Sequence, residues 1–301
     1  MRTKLGWLIV GLCVVVVGCG DGASVSDGGG GAPAVERTRK VLLIGIDGVR
    51  PDALQVAVTP NLDGLIAGGA VSYAAQTVTP SSSGPGWSTM LTGVLPEKHE
   101  VLTNLFLHPA FDAHPPVTTR IEAAQSELVT ASIVHWDPIN LFILTDADVD
   151  RQLPTDAEVA AEAAALLRDG DPDFLFLHFD EVDGTGHAIG FSPDIPEYLE
   201  RIAITDGHIG TVLDALRGRP TIDEEDWLIL SSTDHGGLGV SHGGITTAEQ
   251  TIYVLVSGGG AASGTIEPAP SIADVAATAL QWLEIEIDPA WDLDGTPVGL
   301  R

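Results

Sequence analysis

Five stretches of this chain run apolar, almost without interruption, for about the length of one β-strand. They are "VLLIGID" from Val41, "TASIVHW" from Thr130, "DFLFLHFD" from Asp173, "DWLILSSTD" from Asp226 and "TIYVLVSG" from Thr251. A strand wetted on one face alternates apolar and polar residues, so a continuous run implies cover on both faces. The segments between supply that cover. "TDAEVAAEAAALLRDG" reads as a helix with Thr155 as its cap, acids in its first turn and Gly170 as its stop. "PDIPEYLERIAITDGHIGTVLDALRGR" sets Tyr198, Ile202, Thr205, Ile209, Val212 and Leu216 on one helical stripe, and "SIADVAATALQWLEI" reads as a third helix capped by Ser271. Strands alternating with helices predict an α/β sandwich around a largely parallel central sheet flanked by helices. With aromatics at 5%, the core is mostly Val, Leu, Ile and Ala.

The N-terminus has a different pattern. Arg2 and Lys4 precede an apolar run from Leu5 to Val17, shorter than the roughly 20 residues that span a bilayer and suited to a signal-peptide core. It ends in "VVGC", which resembles a bacterial lipobox with Cys19 as the lipidated residue, and the Gly/Ser/Asp-rich stretch after it reads as a tether. The expected organisation is a lipoprotein signal peptide over 1–18, a flexible tether over 19–39 and a single catalytic domain over 40–301. This implies an exported protein anchored to a membrane by lipid on Cys19, at the outer membrane, in the periplasm or on the cell surface. Processing removes Cys13 and leaves no intramolecular disulfide. The formal charge of −28 repels a nucleic-acid backbone, so no nucleic-acid binding is expected from surface charge. An anionic substrate needs local positive charge, which a bound cation provides.

Ligands of open α/β sheets sit beyond the carboxyl ends of the strands. Three of the runs finish there in residues of metal or acid–base chemistry: Asp47; Asp180 and Asp183 with His187; and Asp234 with His235. Further motifs accompany them. "TPSSSGPGWSTMLTGVLPEKHEV" holds a serine nine residues before the Thr of a "TG" pair, which is Ser83 counted from Thr92, and "STDHGGLGVSHGG" adds His242. "GPGWSTMLTG" reads as a helix start with Pro85 near its first turn, a place where backbone N–H groups favour an anion.

Together with "LLIGIDGVRPDAL", "TPNLDGLIAGGA", "DEVDGTGHAIG" and the final "SIADVAATALQWLEIEIDPAWDLDGTPV", these segments resemble the alkaline phosphatase superfamily in its nucleotide pyrophosphatase/phosphodiesterase-like, type I phosphodiesterase, branch. The likeness covers nearly all of the chain after the tether, and it extends the expected fold to an alkaline-phosphatase-like sandwich that closes on a helix and a strand. It implies a metal-dependent phosphoesterase acting on a small phosphate ester, diester or monoester. Two divalent ions, zinc by ligand type, would be held by Asp183, His187 and His242 and by Asp47, Asp234, His235 and the Ser83 oxygen. Ser83 would be the nucleophile and form a phosphoseryl intermediate. Glycines in the Asp234–Gly244 loop would let both of its imidazoles turn inward.

The residues leave alternatives open. Ser82 competes with Ser83 for the nucleophile register, and Asp180 competes with Asp183 as a ligand. Arg50 pairs with Asp47 or Asp52. His135 and His178, at strand ends, line the pocket or belong with His99, His108, His114 and His208 as surface or core residues. The Asn that the family places three residues after its nucleophile is Gly86 here, followed by Trp87, which fills the pocket wall or stacks on a leaving group. "SGPGW" half-matches the sulfatase signature Ser-x-Pro-x-Arg, with Trp87 in place of the Arg, so a sulfuric ester hydrolase stays as one alternative and a non-catalytic binding lipoprotein as another. Leaving-group specificity falls on loops such as Asn104–Thr119, which carry no readable motif.

Overall fold

The computed structural model describes residues 37–301, and the stretch read as a signal peptide, Cys19 and most of the stretch read as a tether lie outside them. All eight strands belong to one sheet: β1 (Thr38–Ile46), β2 (Ala70–Gln76), β3 (Thr130–Val134), β4 (Val149–Gln152), β5 (Phe174–Phe179), β6 (Glu225–Ser232), β7 (Thr251–Gly258) and β8 (Gly264–Thr265). Their order is β4-β3-β5-β1-β6-β7-β2-β8. The first five in that order are mutually parallel, and β7 runs antiparallel to both β6 and β2. The largely parallel sheet expected from the apolar runs is therefore present, with one reversed strand inside it.

The continuous runs are two faces read in alternation. Val41 and Leu43 of β1, Phe174 and Phe176 of β5, and Leu228 and Leu230 of β6 enter one core layer. Leu42, Ile44 and Ile46, then Leu175, Leu177 and Phe179, then Trp227 and Ile229 enter the other. The first layer is closed by the helices Ser83–Thr92 and Asp274–Trp282, through Trp87, Met90, Leu91, Val275, Ala279 and Leu280. The second is closed by Pro60–Ala67, Asp156–Asp169 and Pro196–Arg217. The predicted stripe from Tyr198 to Leu216 is buried throughout. Thr155 caps its helix by accepting the Glu158 N–H at 3.2 Å, and the helix stops at Gly170.

Three details differ from the sequence reading. β1 begins at Thr38, inside the stretch read as tether. The last α-helix starts at Asp274, two residues later than a Ser271 cap implies. Ser271 Oγ instead accepts the Ala273 N–H at 3.2 Å, while the Asp274 carboxylate accepts the N–H groups of Ser271 and Thr296, so the acid ties down the turn before the helix. The expected closing strand is replaced by a single bridge between Ala261 and Leu300. β2, β4 and β8 are edge or near-edge strands of small or polar residues, and they carry no apolar run to announce them.

Candidate active site

β1, β5 and β6 run in parallel and end together, so Asp47, Asp180 and Asp234 leave the sheet on one edge. The helix Glu181–Ile189 starts immediately after β5 and presents Asp183 and His187 one turn apart. Asp47 and Asp234 are buried, and His235 is fully so.

The seven residues singled out from the sequence converge in two adjoining groups. In the first, His235 Nε2 lies 3.2 Å from Asp234 Oδ2, 3.4 Å from Asp47 Oδ1 and 3.4 Å from Ser83 Oγ. In the second, His187 Nε2 lies 3.3 Å from Asp183 Oδ2 and 3.0 Å from His242 Nε2, which is 3.8 Å from Asp183 Oδ1. The rings of His235 and His242 stack at 3.7 Å and join the groups. Gly239 and Gly243, at φ +61° and +103°, make the turns that bring His242 inward.

Two observations fix what these atoms can do. The Nδ1 atoms of His187, His235 and His242 each face a backbone carbonyl, of Val240, Gly236 and Ser81, at 3.0, 2.8 and 3.1 Å. A carbonyl only accepts, so each Nδ1 carries a proton, and a ring in its neutral form then turns the Nε2 lone pair into the site. Two such lone pairs 3.0 Å apart repel unless something electron-poor sits between them. Second, Asp47 Oδ1, Asp183 Oδ1 and Asp234 Oδ2 are buried and, among the described residues, meet no hydrogen-bond donor. Orphaned acceptors of this kind need an account, because burying an unpaired charge is costly.

The electrostatics agree. Burial, then the charge of Asp234, pushes the Asp47 carboxyl well above the usual range. Burial, then the charge of Asp183, does the same to Asp234. Asp183 is pushed up to about 9 by burial and by Asp47 and Asp180. Burial and the neighbouring His235 lower His242 to about 3. Carboxylates that repel one another and imidazoles that resist protonation form a donor set for cations, whose charge inverts this local preference. Asp183–His235–His242 and Asp47–Asp234–His235 each place ligand atoms within 4.8 Å of one another. The residues present fit the group that the sequence implies.

Ser83 is the first residue of its helix, and Ser82 is the flanking N-cap. Of the two hydroxyls, it is Ser83 Oγ that lies within 3.4 Å of His235 Nε2. Asn104 lies over this helix start, with its Oδ1 accepting the Gly84 N–H at 2.7 Å. Gly86 packs on Asp234: a Cβ there would lie 2.9 Å from the Asp234 Cβ and carbonyl oxygen. The helix therefore approaches Asp234 too closely at this position to leave room for a side chain.

Several partners were not identified from the sequence. Trp87 neither lines a wall nor stacks on a ligand. It is fully buried, and its Nε1–H donates to Asp47 Oδ2 at 2.9 Å. Gly45 makes this possible, since a Cβ there would lie 2.5 Å from the indole ring. His178 Nε2 lies 3.2 Å from the same carboxylate oxygen, while its Nδ1 accepts the Trp136 N–H. Both are local signals of a kind, an indole four residues beyond a nucleophile and a lone imidazole in an apolar strand, but neither names its partner. Asp180 lies within 4.8 Å of Asp47 and His178 in ligand-atom distance, yet Asp183 is the carboxylate that meets His187. His135 pairs with Asp156 at 2.8 Å, and His99 is a satisfied core residue on Thr89 and Val101. Arg50 pairs with Asp52 and with two backbone carbonyls, and not with Asp47.

The family described as type I phosphodiesterase / nucleotide pyrophosphatase matches residues 41–274. Ectonucleotide pyrophosphatase/phosphodiesterase family member 7 of Mus musculus is 26% identical over 68% of this chain and 51% of its own length. The catalytic subunit of human GPI ethanolamine phosphate transferase 2 is 25% identical over 72% of this chain and 23% of its own length. The chain thus spans about half the length, or less, of the curated relatives it matches. Among solved structures, murine ectonucleotide pyrophosphatase/phosphodiesterase 5, inactive and in complex with AMP, superposes with a TM-score of 0.68 at 16% identity over 85% of this chain and 99% of that one. A 2-O GAG sulfatase superposes with a TM-score of 0.67 at 14% identity over 87% and 73%. Both share the fold.

Proposed function

The chain belongs to the type I phosphodiesterase / nucleotide pyrophosphatase family, and on that premise we propose that it is a two-metal phosphoesterase with Ser83 as its nucleophile. The observation that carries this reading is the set of three inward-facing Nε2 lone pairs and three donorless carboxylate oxygens around the Ser83 hydroxyl. Asp47, Asp234 and His235 would hold one cation beside Ser83, and Asp183, His187 and His242 the other, zinc being the ion that suits this mixed N/O set. Bound there, a pair of divalent cations would favour the serine alkoxide and neutralise the phosphoryl oxygens.

The chain's own residues do the rest. Ser83 Oγ forms a bond to phosphorus as the bond to the leaving alcohol breaks and the alcohol takes up a proton, giving a phosphoseryl group at the first residue of its helix. Water attacks from the vacated side and restores Ser83. Gly86 offers no side-chain donor, and the Asn104 carboxamide, anchored by its Oδ1, turns its Nδ2 hydrogens to the substrate in its place. Trp87 and His178 hold Asp47 Oδ2 and leave Oδ1 for the cation. The exported, lipid-anchored placement through Cys19 belongs to the same proposal.

The test pairs metal analysis of the purified protein with turnover of bis-p-nitrophenyl phosphate, p-nitrophenyl phosphate and an aryl sulfate, before and after Ser83→Ala. The expected outcome is about two equivalents of metal and phosphodiester turnover that the substitution abolishes. Turnover surviving in Ser83→Ala rules out this nucleophile, and aryl sulfate as the preferred substrate rules out the reaction class.

A further inference from the structure

Four segments border the site: 102–111, 138–145, 189–193 and 236–248. In a chain that is 19% charged with a formal charge of −28, they contain no Lys, Arg, Asp or Glu. They also carry nearly all the large apolar side chains that the described residues leave exposed, with Val56, Val58 and Ile204 as the exceptions. Single exposed apolar residues are ordinary. An uncharged, apolar border around one site on an acidic protein is not.

Each segment is tied to the reacting residues. Asn104 accepts the Gly84 N–H beside Ser83, and this places Leu105 and Leu107 at the nucleophile's end of the site. Phe142 stacks on Phe106 at 4.9 Å, and Phe106 packs on Trp136, which donates its N–H to His178. On the other side Phe191 meets the His187 ring edge-on and donates its N–H to the Gly239 carbonyl. Val240 accepts from His187, while Leu238 and Ile245 flank His242 in the same loop. Leu105, Leu107, Leu238, Val240 and Ile245 are 53–74% exposed, and Phe142 is 42% exposed. Arg50, which reaches the Phe191 and Gly237 carbonyls of two of these segments, is bound to them and to Asp52 and is not available to a second phosphate.

From this border we infer the substrate class. Resting on the phosphoesterase reading above, the site takes phosphate esters of apolar, uncharged alcohols, such as long-chain or lipid-like alcohols, in preference to nucleotide esters with further charge. The ester arms leave the phosphorus through the mouth of the site, so they lie against Leu105, Leu107 and Phe142 on one side and Leu238, Val240 and Ile245 on the other. Apolar arms shed water there, while charged arms meet no counter-charge.

Steady-state kinetics of the full chain with zinc test the inference, using methyl, octyl and thymidine 5′ p-nitrophenyl phosphodiesters, all of which release p-nitrophenolate. The octyl ester, kept below its micellar concentration, should exceed the methyl ester in kcat/KM by at least about tenfold. That ratio should fall in Leu107→Ser and in Ile245→Ser. A ratio at or below one, a ratio that neither variant moves, or preference for the thymidine ester overturns the inference while leaving the phosphoesterase reading intact. No turnover of any ester overturns both. Phosphatidylcholine vesicles separate the sources: hydrolysis of vesicles supports a bilayer lipid, and octyl preference without vesicle hydrolysis supports a monomeric ester.

Discussion

The two ends of the central sheet bury charge in opposite ways. At the amino end, Arg219, 4% exposed, places all five of its N–H donors on Glu225, Asp171 and the carbonyls of Leu167 and Gly170. Glu225 also accepts from Thr221 Oγ1 at 2.6 Å and Trp227 Nε1 at 2.7 Å, and Lys40 meets Asp173 at 2.7 Å. Both buried cations there meet carboxylates, and both Glu225 oxygens meet donors. At the carboxyl end, Asp47, Asp183 and Asp234 face one another with an unmet oxygen each and neutral imidazoles between them. A fold keeps the first arrangement for itself, because a satisfied network holds strands and helices in place. It keeps the second only for something it does not supply, and the like charges there are a standing destabilisation that a cation relieves.

That contrast is broken most directly at Ser83. Ser83→Ala should lower kcat at least about a thousandfold while leaving the melting temperature and metal content near wild type, because the hydroxyl is one ligand among several. A protein that loses its fold instead would mean that Ser83 serves structure, as the amino end does.

The second prediction turns on sign. Arg219→Ala should destabilise the fold by about 3–5 kcal/mol with or without metal, since it strands Glu225. Asp47→Asn should do the reverse in the metal-free protein, matching or exceeding wild-type stability in urea by removing one of the repelling carboxylates. With zinc present it should lose the ligand-linked stabilisation that wild type gains, about 2.7 kcal/mol at a hundredfold excess over Kd. Equal and negative effects of both variants in metal-free protein would erase the distinction between the two ends.

The same contrast explains what the sequence made legible. The sheet's centre was readable because strands buried on both faces leave unbroken runs, as in β1 and β5. β2 and β4 left none, since Ser72, Tyr73, Asp150 and Arg151 sit in strands that are half wetted. Asp47, Asp183, His187, Asp234, His235 and His242 could be singled out because acids and imidazoles stand at the ends of apolar runs and in segments that resemble a family's motifs, and the structure brings their side chains together. Trp87 and His178 were not, because what makes them matter is a single hydrogen bond across the sheet to Asp47, and no local pattern encodes a partner 40 or 131 positions away. The four uncharged segments were unreadable as a unit for a similar reason: they are far apart in sequence, and the exposure of their apolar side chains shows only in the fold.

Trp87 offers a finer probe of the unmet end. Trp87→Phe keeps an aromatic ring in the core, gives up the indole edge that lies against Gly45, and removes the donor to Asp47 Oδ2. Zinc affinity should fall about 10–100-fold, read by competition with a chelator, with a smaller change in metal-free stability. Unchanged affinity would reduce Trp87 to packing.

The smallest effect concerns acid. Burial alone would raise the Glu225 carboxyl, but hydrogen bonds from Arg219, Thr221 and Trp227 outweigh it and hold the group down at about 2. A carboxylate whose folded pKa lies below its unfolded value of 4.5 contributes stability above that value and loses it as pH falls toward 2. Urea unfolding of wild type should therefore weaken between about pH 4.5 and 2, and Glu225→Gln should flatten that slope while starting from a lower plateau at pH 7. The difference in slope between wild type and Glu225→Gln is a property of the satisfied end alone, so it should be the same whether or not zinc is bound, even though acid weakens zinc binding and steepens both curves. A difference that changes with zinc would show the two ends of the sheet to be coupled, and the contrast between them would then describe one network instead of two.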